Sequence, residues 1–283
     1  MNFGGIGVEH AALETARFVV LPVPYDLTST YMAGSRKGPA AILEASANME
    51  LFDDELRKET FRAGIHTLPP LEADARGPGF MVERVQKAVE EILDGDRVPI
   101  LLGGEHSVTI GAVHAMKERY PSISVLHLDA HADMRESYQG SPFSHACVAR
   151  RIVETCPIVQ VGVRSMSVEE AEYVSDNNIM QVSPDNMDGE PQWVKKICDN
   201  LSNDVYVSLD LDVFDPAIMP ATGTPEPGGM NWKEVIRLIS EVSLSCHICG
   251  FDVVELCPIP GMIAPDFLAA KLVYRIIGYA DRS

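Results

Sequence analysis

A group of acidic and imidazole side chains follows an apolar run in the middle of the chain. After Val125-Leu-His-Leu come Asp129, His131 and Asp133, each two residues from the next. In an extended backbone this spacing places all three side chains on one face. Two carboxylates and an imidazole at the end of a core strand would be costly to bury unless a cation neutralised them. The motif therefore predicts metal ligands, and a solvated loop is the alternative interpretation.

A second acidic pair follows another apolar run. Asp210 and Asp212 end the segment Val205-Tyr-Val-Ser-Leu-Asp-Leu-Asp, and the spacing again predicts that both carboxylates share one face. Burying two like charges is unfavourable unless they bind a metal, so this pair is also predicted to be ligating. Asp215 precedes a proline and is predicted to be a turn residue.

A histidine is placed at the end of a third run. In Gly103-Gly-Glu-His-Ser107 the glycines allow a sharp turn after the strand, and Ser107 is predicted to cap the helix that follows. His106 would lie at the rim of the sheet, where it could bind a ligand, cap a helix or simply pack. The motif alone leaves these alternatives open.

Together, the three motifs offer oxygen and imidazole nitrogen ligands without a thiolate. Their members are His106, Asp129, His131, Asp133, Asp210 and Asp212. Hard oxygen ligands with a minority of nitrogen favour Mn²⁺ over Zn²⁺, and the four carboxylates balance two divalent ions. The residues themselves thus predict a dinuclear metal hydrolase.

These motifs need a scaffold that brings the ends of several strands together. The predicted strands are Phe18–Pro24, Ile65–Leu68, Val98–Leu102, Ile123–Leu128, Ile158–Val163, Ile179–Val182, Val205–Leu211 and His247–Val254. The predicted helices are Gly79–Leu93, Val108–Tyr120, Val168–Asn177, Trp193–Leu201, Asn231–Val242 and Pro265–Gly278. This alternation indicates an α/β fold, a mainly parallel sheet with helices on both faces, whose ligands bind at the carboxyl ends of the strands. The chain contains no linker-like tract, so residues 1–283 are predicted to form a single domain.

Charge and composition narrow the class of partners. The net charge of −18 at pH 7 argues against nucleic acid and anionic lipid and suits a small cation, although acidity can also serve solubility alone. The sequence has no apolar run long enough to span a membrane and no signal-peptide pattern at its start. Scattered cysteines, including the pair in Cys246-His-Ile-Cys249, are interpreted as buried structural thiols rather than a redox or zinc site. We therefore expect a cytoplasmic protein.

Four blocks of the chain resemble the signatures of the ureohydrolase (arginase/agmatinase) family. They are Gly103-Gly-Glu-His-Ser107, Asp129-Ala-His-Ala-Asp133, Ser208-Leu-Asp-Leu-Asp212 and Pro220-Ala-Thr-Gly-Thr-Pro-Glu-Pro-Gly-Gly229, and they occur in the family's order. The resemblance implies a three-layer α/β/α fold with an eight-stranded, mainly parallel sheet. It also implies a centre of two Mn²⁺ per subunit that hydrolyses a guanidinium group to urea and an amine.

The resemblance further assigns roles to individual residues. It places His106, Asp129, Asp133 and Asp210 around one ion. It places Asp129, His131, Asp210 and Asp212 around the other, so that Asp129 and Asp210 bridge the two. The nucleophile implied is a hydroxide held between the ions. Three residues then have catalytic roles: Glu255 would pair with the guanidinium, His145 would relay a proton to the leaving amine, and Asp133 would take the proton of the nucleophile.

Two positions bear on the identity of the substrate. Where arginase-type members bind the amino-acid end of arginine, this chain has Arg135 and Ser165. The surrounding residues resemble agmatinases, and dicationic agmatine suits the negative charge of the chain. A small cationic guanidine, agmatine first, is therefore the predicted substrate; guanidinobutyrase, arginase and a non-catalytic metal-binding homologue are the alternatives. Members of the family are commonly homotrimers or homohexamers, and the same assembly is expected here.

Overall fold

The apolar runs of the sequence form the strands of a central sheet. The computed structural model describes residues 1–187 and 189–281. The strands in these ranges are β1 (Phe18–Val23), β2 (Phe52–Asp53), β3 (Lys58–Glu59), β4 (Ile65–Thr67), β5 (Val98–Gly103), β6 (Ser124–Leu128), β7 (Ile158–Val161), β8 (Met180–Val182), β9 (Asp204–Asp210) and β10 (His247–Val254). Strands β2 and β3 form a short antiparallel hairpin, and the other eight pair in parallel.

The order of strands brings separate parts of the chain together at the centre of the sheet. Across the described part of the chain the order is β4-β1-β5-β10-β9-β6-β7-β8. The four neighbours β5, β10, β9 and β6 are far apart in sequence, yet their carboxyl ends meet at one edge. This edge is where ligands of open parallel sheets bind.

Helices cover both faces of the sheet. They are α1 (Val8–Ala11), α2 (Gly38–Ser46), α3 (Pro78–Asp94), α4 (Val108–Arg119), α5 (Val148–Val153), α6 (Val168–Asp176), α7 (Pro184–Met187), α8 (Trp193–Asp199), α9 (Trp232–Ser245) and α10 (Ala264–Ala280). Within the described ranges, none of them has both the length and the apolar character needed to cross a bilayer.

Side chains that alternate along the strands form two hydrophobic cores. In β1, Phe18 and Val20 pack in the core shared with α2, α8, α9 and α10, whereas Val19 and Leu21 pack in the core shared with α3, α4 and α5. This alternation is the period of two that a strand imposes on its side chains. The predicted three-layer α/β/α fold with a mainly parallel eight-stranded sheet is confirmed.

The structure differs from the sequence prediction in several local features. The strand predicted at Ile158–Val163 ends at Val161, and the hairpin β2–β3 and helix α2 were not predicted. Helix α2 is apolar around most of its circumference, so its sequence lacks the amphipathic period that reveals a surface helix. Cys198 and Cys257 are partly exposed, so the prediction of buried thiols is wrong for these two.

The predicted cap at Ser107 is also wrong. Ser107 is the residue before α4, but its side chain makes no hydrogen bond to the helix. Its hydroxyl instead donates to Oε1 of Glu105 at 2.6 Å. Ser107 itself has helical backbone angles, φ −55° and ψ −24°, whereas a residue whose side chain caps a helix has extended ones.

Candidate active site

The residues singled out in the sequence lie around one cavity at the carboxyl edge of the sheet. The cavity has a volume of about 250 Å³. The predicted site residues that line it are His106, His131, Asp133, His145, Asp210, Asp212 and Glu255. The remaining one, Asp129, is buried at its base. Because β5, β10, β9 and β6 are neighbours, loops that follow these strands supply most of the set.

Three carboxylates converge on one ring nitrogen of His106. The Nδ1 atom lies 3.0 Å from Oδ2 of Asp129, 3.3 Å from Oδ2 of Asp210 and 3.6 Å from Oδ2 of Asp133. These four residues are the set that the family resemblance places around one ion. Their convergence gives a compact group of one nitrogen and three oxygens.

His131 lies beside two further carboxylate oxygens of the cluster. Its Nδ1 lies 2.9 Å from Oδ2 of Asp212 and 3.6 Å from Oδ1 of Asp129. Asp129 therefore faces His106 with one carboxylate oxygen and His131 with the other. This position between the two imidazoles is the arrangement expected of a bridging carboxylate.

The segments that begin at Asp129 and Asp210 turn toward the cavity through the same kind of local hydrogen bond. Oδ1 of Asp129 accepts the backbone N–H of His131 at 2.6 Å, and Oδ1 of Asp210 accepts that of Asp212 at 2.8 Å. The prediction that these residues alternate on an extended strand is wrong, because β6 and β9 end before the second acidic residue. Asp133 has a positive φ of 51°, which turns its side chain back toward the cavity.

The second ring nitrogen of His106 is held away from the cavity. Its Nε2 lies 2.9 Å from Oγ of Ser208, and this hydroxyl donates to Oδ1 of Asp252 at 2.9 Å. Since Ser208 gives its proton to the carboxylate, it accepts the proton on Nε2, and Nδ1 keeps its lone pair for a metal. Sequence reasoning missed Ser208 and Asp252, because their pairing across β9 and β10 has no local motif.

The cluster carries more negative charge than its surroundings favour. Burial first, and then the nearby carboxylates, raise the pKa of Asp133 and Asp210 well above the ordinary value. His106 Nδ1 and Asp129 Oδ2 are buried and, although they lie 3.0 Å apart, neither has a hydrogen bond of good geometry with any described residue. A donor set of hard oxygens and imidazole nitrogens with unused lone pairs fits divalent metal ions.

His127 is a further histidine of this region. Its ring stacks on that of His106 with a centroid distance of 4.8 Å, and its Nε2 lies 3.6 Å from Oδ2 of Asp129. Burial lowers its pKa to about 3. The side chain of Gln160 contacts Nδ1 at 3.3 Å. His127 thus lies behind the cluster as a neutral neighbour of Asp129.

Glu255 and His145 reach the cavity from different elements. Glu255 follows β10 with a φ of 66°, and its Oε1 accepts the backbone N–H of His106 at 2.7 Å. Burial, then the charge of Glu105, raises its pKa to about 8. His145 begins a short 3₁₀ turn, and burial lowers the pKa of its imidazole to about 4. The cavity therefore contains, beside the cluster, a carboxyl group with a raised pKa and an imidazole with a lowered one.

Arg164 supports the cavity wall without lining it. Its guanidinium donates to the backbone oxygens of Asp212 at 2.8 Å, Glu226 at 2.8 Å and Gly162 at 3.0 Å. It therefore joins the loops after β7 and β9 to the Pro-rich segment that follows. Nothing in the local sequence predicts these contacts to carbonyl groups, which come from distant parts of the chain.

The two positions that bear on the substrate also line the cavity. The guanidinium of Arg135 lies over the ring of Tyr138, with 5.0 Å to the centroid. One of its nitrogens is 3.8 Å from Oε2 of Glu170, a buried carboxylate. Ser165 lines the same wall. The charge of Arg135 is thus partly neutralised by the protein.

Comparison with known proteins places this fold and site in a family. The sequence profile of the Arginase family matches residues 16–278. The chain belongs to the arginase family. It is therefore a hydrolase that acts on guanidino groups of linear amidines, in a family of binuclear metal enzymes.

Individual relatives are similar along almost their whole lengths. An N(1)-aminopropylagmatine ureohydrolase of Thermus thermophilus is 39% identical, with 96% of this chain and 93% of the relative covered. An agmatinase of Pyrococcus horikoshii is 35% identical, with 95% and 94% covered. The crystal structure of agmatine ureohydrolase of Thermoplasma volcanium superposes with a TM-score of 0.89 at 33% identity and covers 99% of this chain and 95% of that one.

Proposed function

We propose that the protein hydrolyses agmatine to putrescine and urea with two Mn²⁺ ions. The observation that carries this proposal is the convergence of four aspartates and two histidines beside Glu255 in one cavity. A cluster of this kind would hold the ions, and the carboxylate of Glu255 suits a guanidinium. The names of the similar proteins support a guanidine with a polyamine chain as the substrate.

The proposed ligand sets follow the geometry of the cluster. One ion would be held by His106, Asp129, Asp133 and Asp210, which gather around Nδ1 of His106. The other would be held by Asp129, His131 and Asp212, whose ligand atoms lie close together. Asp210 would be its fourth ligand, as the family resemblance implies. When bound, the two divalent cations supply Lewis acidity that lowers the pKa of water and makes it nucleophilic at neutral pH.

The remaining steps belong to side chains of this protein. Glu255 would accept two N–H groups of the planar guanidinium and so orient the carbon of the substrate. Its position is fixed, because Oε1 also accepts the N–H of His106. Asp133 would accept the proton lost by water, and His145 would give a proton to the departing amine nitrogen. The products are then urea and the free amine.

A second candidate substrate is N(1)-aminopropylagmatine. The Thermus relative named for this compound covers 96% of the chain. The cavity wall includes the half-exposed side chains of Met32 and Met166, so a longer cationic chain could extend past them toward solvent. The same apolar rim would also accept agmatine.

The proposal includes the domain organisation, the location and the assembly of the protein. We propose that residues 1–283 form one domain, and that the protein is cytoplasmic and assembles as a homotrimer or homohexamer. Sedimentation of the purified chain would check the assembly.

Urea release from a panel of guanidines tests the proposed function. The panel contains agmatine, N(1)-aminopropylagmatine, arginine and 4-guanidinobutyrate, each with Mn²⁺ and, in parallel, with Ni²⁺, Co²⁺ or Zn²⁺. We expect kcat/KM for one of the first two compounds to exceed that for arginine by several orders of magnitude. The reason is that Arg135 and Ser165 stand where arginase-type members have the side chains that bind the amino-acid end of arginine. Preference for 4-guanidinobutyrate would show that Arg135 binds a substrate carboxylate, and no urea from any compound would contradict the proposal.

A further inference from the structure

A buried carboxylate beside the cavity has no role in the mechanism proposed above. Glu105 is fully buried next to His106. Its Oε1 accepts the hydroxyl of Thr28 at 2.6 Å and that of Ser107 at 2.6 Å, and its Oε2 accepts the backbone N–H of Thr28 at 2.6 Å. Two of these short bonds fix one residue, so the carboxylate determines the position of Thr28.

Thr28 in turn contacts His145, which lies 117 residues further along the chain. Its Oγ1 accepts the backbone N–H of His145 at 3.0 Å and lies 3.4 Å from Nδ1 of the ring. A threonine hydroxyl has a single proton, and here that proton is given to Glu105. Toward His145 the oxygen can therefore only accept, which favours the ring with its proton on Nδ1.

The other ring nitrogen faces a hydroxyl of a different kind. Oγ1 of Thr30 lies 3.2 Å from Nε2 of His145 and lines the cavity. This hydroxyl can rotate, so it can donate to a bare Nε2 or accept from a protonated one. His145 thus keeps a partner at Nε2 in both of its protonation states.

We propose that Glu105 and Thr28 are positioning residues that hold His145 as the Nδ1–H tautomer and leave Nε2 for proton transfer. During turnover the bare Nε2 takes a proton from solvent, the imidazolium then gives that proton to the departing amine nitrogen, and the Nδ1 proton stays. Thr30 accepts from the protonated Nε2 and donates to the bare one. This inference rests on the proposed role of His145. The competing partner of Nδ1 is Ser144, whose Oγ is also 3.4 Å away.

Thr28→Val and Thr28→Ser form a matched pair, because only the serine retains the hydroxyl. We expect Thr28→Val to lower kcat about tenfold or more, less than the ~10²–10⁴-fold expected for His145→Ala, with KM and bound metal unchanged. Thr28→Ser should stay close to wild type, as should Thr15→Val, whose hydroxyl bonds only a local carbonyl. In the His145→Ala background, Thr28→Val should cause no further loss. Additive losses would overturn the proposal.

A spectroscopic measurement tests the tautomer without turnover. In the metal-free protein, the ¹⁵N signals of His145 can be identified by their loss in His145→Ala. We expect a protonated Nδ1 in wild type and Thr28→Ser, and a shift toward the Nε2–H form in Thr28→Val. An unchanged tautomer in Thr28→Val, or a change in Ser144→Ala instead, would overturn the assignment. Failure of the wild type to release urea would contradict the proposed function alone, since the tautomer result does not depend on it.

Discussion

Two groups of acidic side chains in this molecule surround a basic partner, and the partners differ in kind. The first, the cavity cluster, contains His106, Asp129, His131, Asp133, Asp210 and Asp212. The second, the Arg275 cluster, contains Asp53, Asp54, Glu55 and Arg275 and joins α10 to the segment that begins at β2. Both draw carboxylates toward one point, but only one includes a permanently charged side chain.

The Arg275 cluster contains a cation supplied by the protein itself. Nε of Arg275 donates to Oδ2 of Asp53 at 2.5 Å, and the same guanidinium bonds Glu55 and Asp54. In the cavity cluster, no described lysine or arginine side chain comes within salt-bridge distance of the four aspartates. The difference indicates that the cavity cluster suits a cation that comes from outside the protein, whereas the Arg275 cluster already contains one.

The largest expected effect is the loss of activity on removing a proposed bridging ligand. Asp210→Ala should lower urea release by several orders of magnitude and reduce the metal content of both sites, because Asp210 is proposed to contact both ions. His106→Ala should remove mainly one ion. Elemental analysis of the purified variants, together with a urea assay, checks both. Two ions per subunit in Asp210→Ala would contradict the ligand assignment.

A second prediction concerns the Arg275 cluster. Arg275→Met should lower the free energy of unfolding by about 3–5 kcal/mol, because it leaves the fully buried Asp53 without its cation. The folded fraction should still release urea at the wild-type rate, since Arg275 lies outside the cavity. Denaturant unfolding and a urea assay measure the two quantities. A loss of urea release from the folded fraction would show that the two clusters are not independent.

The sequence anticipates the scaffold of both clusters better than their internal contacts. The apolar runs of β1 and β9 predict these strands to within one residue at each end, because a strand buried on both faces is apolar along its whole length. The sequence also predicts that Asp129 and Asp210 lie at strand ends. It does not predict the inward turns at Asp129 and Asp210, which depend on side-chain bonds to the backbone. Nor does it predict Arg275 beside Asp53, since residues 222 positions apart meet only through the fold.

A third prediction concerns removal of metal from the cavity cluster. Chelation should lower the unfolding free energy by about 2.7 kcal/mol for each of the two proposed metal sites, relative to protein held at ~100 times the dissociation constant of the metal. In the metal-free state, Asp210→Asn should be more stable than wild type, because it relieves repulsion among buried carboxylates. Asp53→Asn should be less stable under the same conditions. Guanidinium unfolding with and without EDTA measures the change in unfolding free energy for each variant. Changes of the same sign in Asp210→Asn and Asp53→Asn would contradict the distinction between the clusters.

The smallest expected effect is that of removing an exposed carboxylate, Asp54, from the Arg275 cluster. The Asp54 side chain is 83% exposed, although its Oδ1 lies 3.0 Å from Nη2 of Arg275. An ion pair with an exposed partner is screened by solvent and contributes little, so Asp54→Asn should change the unfolding free energy by no more than about 0.5 kcal/mol. Asp53→Asn removes the buried partner of the same guanidinium and should cost several times as much. Unfolding both variants at low and high salt is the comparison to make. A large, salt-independent loss in Asp54→Asn would mean that the number of charges around Arg275, rather than their burial, holds this cluster together.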